Sequence, residues 1–314
     1  MGVGRDQKDE EETMYTRMLV PLDSSKTAEK VLPYARCLAG KLNIPVDLLG
    51  VIDIAEMATQ VSAEKARYLD TMIADGVRSS EEYLKGIART FSSGSVKCTV
   101  EKGRAEEVII EKGEADTAML ITMATHGRSG INRWLLGSVA EKVLRASANP
   151  LLLVRATDEA KTEGEAALKS IVVPLDGSEL AESVLPMVAG LAKKLSIEVL
   201  LFRVYHIPYG VYSGGDGLYG IDFEELTASV RDEASDYLDK KIVEMKKLGV
   251  EKISYTTKEG LGADEIISLG RKTPDNLIAM CSHGRSGVKR WVLGSVTETV
   301  VRHSGDPVLI IRAV

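Results

Sequence analysis

The stretch His126 to Arg145, HGRSGINRWLLGSVAEKVLR, returns as His283 to Arg302, HGRSGVKRWVLGSVTETVVR, with fourteen of twenty positions identical. Ordinary composition gives about one chance match over such a length. The chain is therefore a duplication, and its fold must be one that each half can take. In each copy a glycine-rich loop leaves an apolar strand and ends in Gly-Ser at a helix start. That arrangement binds phosphate through unpaired backbone N–H groups.

A length of 314 residues and a repeat spacing of about 155 both fit two domains, each able to bury its own core. The expected division is an acidic, disordered leader over 1–13, a first domain over 14–156, a polar linker over 157–167 (TDEAKTEGEAA) and a second domain over 168–314. A net charge of −6 with interspersed signs leaves no basic footprint for nucleic acid. Cys37, Cys98 and Cys281 do not fall at matching places, so a disulfide framework is not indicated and a reducing cytoplasm is the expected location. The leader is acidic where a signal peptide would be basic, and no apolar run approaches the ~20 residues of a membrane span.

Each copy opens with a short apolar run closed by an acid, MLVPLD ending at Asp23 and IVVPLD ending at Asp176. Next comes a helical pattern, Lys26 to Leu42 and Glu179 to Leu195, with Pro33 or Pro186 inside; a mid-helix proline predicts a kink. Strand (45–52; 198–205), long helix (about 64–90; about 223–248), strand (95–100; 252–257) and short helix (from about 105; from about 263) follow. A strand to Met123 or Met280, the glycine loop, a helix from Ser138 or Ser295 and a last strand (150–154; 307–311) complete each copy. Strands alternating with helices predict an α/β fold: two tandem doubly wound, five-stranded parallel sheets of order 3-2-1-4-5. In that order the first and fourth strands are neighbours, so the aspartate and the glycine loop face one crevice.

The chemistry-bearing candidates come in pairs. Gly127 and Gly284 stand where the chain leaves the fourth strand, and Gly137-Ser138 and Gly294-Ser295 head a helix, where the serine can cap it or meet a phosphate. Asp23 and Asp176 can accept hydrogen bonds from a base or ribose, or cap the next helix. Val51 and Val204 can wall a base or belong to the core. Arg128 and Arg285 can reach phosphate or stay solvated. Trp134 and Trp291 read as packing residues, with a partner surface as the alternative. Cys281 and His283 form at most a two-ligand metal pair that copy one does not repeat. The Tyr- and Gly-rich segment Tyr205 to Gly220 is a lid or a loop. Ser129 does not fit a nucleophile elbow, and no P-loop lysine is present to activate a γ-phosphate.

These residues resemble the universal stress protein family in its tandem form, over about Met14 to Arg155 and Lys169 to Arg312. The ATP-binding branch has the motif G-x2-G-x9-G-[ST] after a strand often ending in Met. Gly127, nine residues and Gly137-Ser138 fit it, as do Gly284, nine residues and Gly294-Ser295. The first motif glycine is replaced by Ala124 and Cys281. The resemblance implies an adenine nucleotide, ATP or AMP with Mg as its companion ion. It would be held around Pro21, Asp23, Val51, Met123, Ala124, His126, Gly127, Arg128, Gly137, Ser138 and Val139. The second set is Pro174, Asp176, Val204, Met280, Cys281, His283, Gly284, Arg285, Gly294, Ser295 and Val296. It also implies that the last strands pair, as an internal pseudo-dimer or in a homodimer, and that the protein is a regulatory binder with at most slow ATP hydrolysis. A nucleotide-free scaffold is the alternative. Crowding by the larger Cys281 side chain leads us to expect tighter binding in copy one.

Overall fold

The computed structural model describes residues 14–60, 68–92, 94–125, 136–156, 161–207, 223–282 and 293–312. Its ten strands form one sheet, in the order β3-β2-β1-β4-β5-β10-β9-β6-β7-β8. The first half contributes β1 (Met18–Pro21), β2 (Val46–Ile52), β3 (Val96–Lys102), β4 (Leu120–Ala124) and β5 (Leu151–Val154). The second contributes β6 (Ser170–Pro174), β7 (Glu198–Tyr205), β8 (Ile253–Glu259), β9 (Asn276–Cys281) and β10 (Val308–Ile311). Each half therefore has the expected 3-2-1-4-5 order with parallel neighbours.

At the centre β5 and β10 run antiparallel, with Leu152 opposite Leu309 and Leu151 opposite Ile310. Both strands are wholly apolar and buried on both faces, the pattern of strands covered by helices on each side. One face carries α1 (Leu32–Leu42), α3 (Leu69–Ala88), α7 (Leu185–Leu195) and α8 (Phe223–Lys247). The other carries α4 (Ala105–Glu114), α5 (Ser138–Ala146), α9 (Gly262–Lys272) and α10 (Ser295–His303). Each of the two apolar layers draws residues from both halves, Leu152 and Leu309 in one, Leu153 and Ile310 in the other.

The prolines do not kink a continuous helix. A 3-10 turn at Ala28–Val31 precedes α1, and a four-residue α6 (Glu179–Glu182) precedes α7, so Pro33 and Pro186 sit in the first turn of their helices. There a missing N–H costs nothing, because that donor has no intrahelical acceptor. A second departure is α2 (Ile54–Gln60), where the sequence showed no helical pattern; Glu56 N–H donates to Asp53 Oδ1 at 2.9 Å and caps it. The described part of the linker follows α1: Arg36 donates to Thr162 O and Gly164 O, and Ala166 N–H to Pro33 O. The leader over 1–13 lies outside the described residues.

Candidate functional site

The pairing of β1 with β4 sets the ends of these strands side by side, with Leu19 opposite Ile121. Two residues beyond β1, the Asp23 carboxylate accepts from Ser25 N–H at 3.0 Å, and Ser25 Oγ in turn accepts from Ala28 N–H at 3.0 Å. The second half repeats this. Asp176 Oδ1 accepts from Ser178 N–H at 2.9 Å and Ser178 Oγ at 2.6 Å, and Ser178 caps α6 through Ala181 N–H. Helix capping thus falls to the serine, while the aspartate bends the turn and stays half-buried at the strand ends. Leu22 N–H bonds Leu49 O and Leu175 N–H bonds Phe202 O, both at 2.8 Å, which ties each turn to the strand carrying Val51 or Val204.

The glycine-headed helix arrives at the same edge. Gly137 N–H donates to Thr125 O at 2.7 Å, directly past the end of β4, and Gly294 N–H donates to Ser282 O at 2.9 Å, past β9. The N-cap is the glycine, in extended conformation (ψ 147° and 141°), which has no side chain with which to cap its helix. Ser138 and Ser295 are the exposed first helical residues, so the serine does not cap its own helix. The amides of Ser138 to Ala140, and of Ser295 to Thr297, precede the first intrahelical bonds, from Glu141 N–H and Glu298 N–H. Helix dipole and amides together present partial positive charge at the mouth of each crevice.

Pro21 and Pro174 close their strands half-buried. Met123, Ala124, Met280 and Cys281 are buried, Val139 is half-buried and Val296 exposed. The structure thus gathers Asp23, Val51, Ala124 and Ser138 at one end of the sheet, and Asp176, Val204, Cys281 and Ser295 at the matching end of the second half. His126, Gly127, Arg128, His283, Gly284, Arg285, Ser129, Trp134, Trp291 and the segment after Ile207 lie outside the described residues.

Cys281 closes β9 as a buried residue. Its sulfur accepts from Ser183 Oγ at 3.6 Å, so the side chain turns toward the loop between α6 and α7. Leu277 and Ala279, four and two residues earlier, join the apolar layer under α7, whereas Ile278 and Met280 join the layer under α10. The cysteine side chain is therefore directed away from α10 and toward the end of α6.

Sequence reasoning missed Thr125 and Ser282, whose carbonyls anchor the two glycine caps, and Arg203, which packs under the Asp176 turn. An arginine inside the otherwise apolar run Val199 to Val204 was the signal for the latter. Among the described residues no group of three His, Cys, Asp or Glu could hold a metal ion, and no helix is long and apolar enough to cross a membrane. A surface cleft of about 360 Å³ between α9 and α10 is lined by Arg271, Lys272 and His303, at the far end of α10 from Ser295.

The profile of the Universal stress protein family matches residues 14–155 and again 167–312. The chain belongs to the universal stress protein family. A universal stress protein of Methanocaldococcus jannaschii is 30% identical over 149 residues, 48% of this chain and 85% of the relative. One from Mycobacterium tuberculosis is 22% identical over 309 residues, covering 94% of this chain and 96% of its own length, so the two-domain arrangement is shared end to end. The crystal structure of a universal stress protein from Archaeoglobus fulgidus superposes with a TM-score of 0.67 at 20% identity, over 96% of this chain and all of that one, and supports the fold.

Proposed function

We propose that each half holds an adenine nucleotide, ATP or AMP, at the carboxyl end of its strands. The base lies against Asp23 and Val51, or Asp176 and Val204, and the phosphates meet the first amides of α5 or α10. The protein then acts in the stress response as a cytoplasmic, nucleotide-responsive binding protein with at most slow ATP turnover. The antiparallel contact of β5 with β10 is the internal counterpart of a dimer interface. The observation that carries this reading is the pair of helices that begin at a glycine N-cap beside the aspartate turn. Acidic ligands gain roughly 0.3–1 kcal/mol from such a helix end before any hydrogen bond is counted. Residues of the glycine loop that match the family motif would complete the phosphate contacts, and Mg would accompany a polyphosphate.

The test uses the full chain purified without denaturation. Mass spectrometry of released ligand should find ATP or AMP, and calorimetry should show saturable binding of one of them. Ser138→Pro with Ser295→Pro sharpens the test: proline is tolerated as the first helical residue, and the extended Gly137 and Gly294 suit a following proline. Each change removes one amide donor and one hydroxyl, and should weaken binding about tenfold while leaving helix content unchanged. Empty protein with no heat on addition of ATP or AMP would favour a nucleotide-free scaffold.

A further inference from the structure

The two helices that head the crevices are fixed at their far ends by the opposite half. Arg312, the residue after β10, donates from Nε to Ser147 O at 2.9 Å and from Nη2 to Leu144 O, carbonyls at the end of α5. Arg155, the residue after β5, donates from Nη1 to Arg302 O at 3.2 Å and to Ser304 O at 3.1 Å, at the end of α10. Midway, Glu141 and Arg145 of α5 meet Glu298 and Arg302 of α10 in a ring of four charges. Arg145 lies 3.3 Å from Glu141 and 3.1 Å from Glu298, and Arg302 lies 3.2 Å and 2.9 Å from the same two carboxylates.

The near ends are tied within each half. Gly137 N–H bonds Thr125 O, Thr125 N–H bonds Val154 O at 2.9 Å, and the next residue is Arg155. Gly294 N–H bonds Ser282 O, Ser282 N–H bonds Ile311 O at 2.9 Å, and the next residue is Arg312. The bonds close a circuit: the cap of α5, the end of β5, Arg155, α10, the cap of α10, the end of β10, Arg312 and back to α5. An arginine at a helix C-terminus satisfies orphan carbonyls and complements the dipole. Arg312 is held there although its Nη1 is buried without a partner, so the contact with α5 offsets a desolvation cost.

We propose that Arg312 and Arg155 are positioning residues that act crosswise. Arg312, from the second half, sets the first turn of α5 and with it the anion affinity of the first crevice; Arg155 does the same for α10 and the second crevice. The inference rests on the nucleotide reading above. A nine-residue helix is a rod of about 13 Å, so loosening its last turn moves or frays its first. Because the circuit is closed, filling one crevice also alters the other's affinity, and the effect is reciprocal.

Hydrogen–deuterium exchange of the full chain during an ATP titration reads both helices at once, through peptides covering 136–147 and 293–304. Arg312→Gln should raise the ATP concentration that half-protects the first peptide about five- to tenfold and leave the second within about twofold; Arg155→Gln should do the reverse. A merely structural seam residue moves both together, as Leu152→Ala should. Weakening of each variant's own half, or of both halves equally, overturns the proposal. If ATP protects neither helix in the parent protein, the nucleotide reading fails. The crosswise role is then decided by ligand-free exchange, which Arg312→Gln must accelerate in α5 rather than α10.

Discussion

The turns that carry Asp23 and Asp176 follow one path and rest on different atoms. Ser24 and Gly177 take the same left-handed conformation, with φ 65° and 86°. Beneath the second turn lies Arg203, half a sandwich: its guanidinium stands 4.4 Å from the Tyr237 ring on one side. A Cβ on Gly177 would lie 3.3 Å from its Nη2 on the other. The first half has Gly50 at the place of Arg203, and a Cβ there would lie 2.3 Å from Ser80 Oγ. Arginine with glycine in one half and glycine with serine in the other are thus compensated pairs. The duplication kept the turn and the Gly-Ser helix while their support drifted. Local packing is free to change where backbone geometry is not.

Mixing the two supports gives the largest effect. Gly50→Arg places a long side chain against Ser80 and Leu84 and should destabilise the full chain by about 3 kcal/mol, because an overpacked core must shift its backbone. The reverse change, Arg203→Gly, removes a cation from the Tyr237 face and its 3.8 Å pair with Glu233, and should cost about 1–2 kcal/mol. Chemical denaturation of both variants decides it. Equal costs would show that the two supports are not distinct solutions.

The strand order was legible because it follows from two apolar runs per half, MLVP and LITMA, that end beside the residues whose repetition betrays the duplication. The closing strands LLLV and VLII were legible as elements, whereas their pairing entered only through family resemblance and its antiparallel direction only with the structure, since no local pattern names a partner strand. Asp23 and Asp176 could be placed at a crevice, but whether they or the serines cap the next helix depended on hydrogen-bond geometry that spacing does not encode. The prolines misled for a related reason: a 3-10 turn ahead of Pro33 continues the apolar periodicity of α1, so two elements read as one. The crosswise arginines were visible as a repeated Arg-Ala after the last strand, yet nothing in one half's sequence says that its contact lies in the other.

A smaller difference separates the ends of α5 and α10. Asn149 holds Asp116 O and Met119 O in the first half, while the second has Asp306, which accepts from Asn276 Nδ2 at 2.9 Å and from Ser304 Oγ at 3.2 Å. Burial pushes the Asp306 carboxyl above its ordinary range, and the bonds from Asn276 and Ser304 only partly oppose that. A raised folded-state value means that the proton favours the folded chain. This contribution is complete below the ordinary aspartate range and is lost as the pH climbs through the raised value. Asp306→Asn removes the loss, so the variant should gain a few tenths of a kcal/mol on the parent between pH 3 and pH 7. Parallel urea midpoints across that range would place the burial penalty elsewhere.

The smallest effect is expected in the strand that ends beside α10. Cys281 replaces a motif glycine, but its sulfur is buried against Ser183 on the side of β9 away from α10. Cys281→Ala should therefore lower stability by about 1 kcal/mol, through the small void it leaves. It should change the affinity of the second crevice by less than about twofold, since no atom is removed beside the amides of α10. A tenfold gain in nucleotide affinity at that crevice would show instead that the cysteine crowds the ligand. The functional difference between the halves would then lie in the strand itself rather than in the supports beneath the aspartate turn.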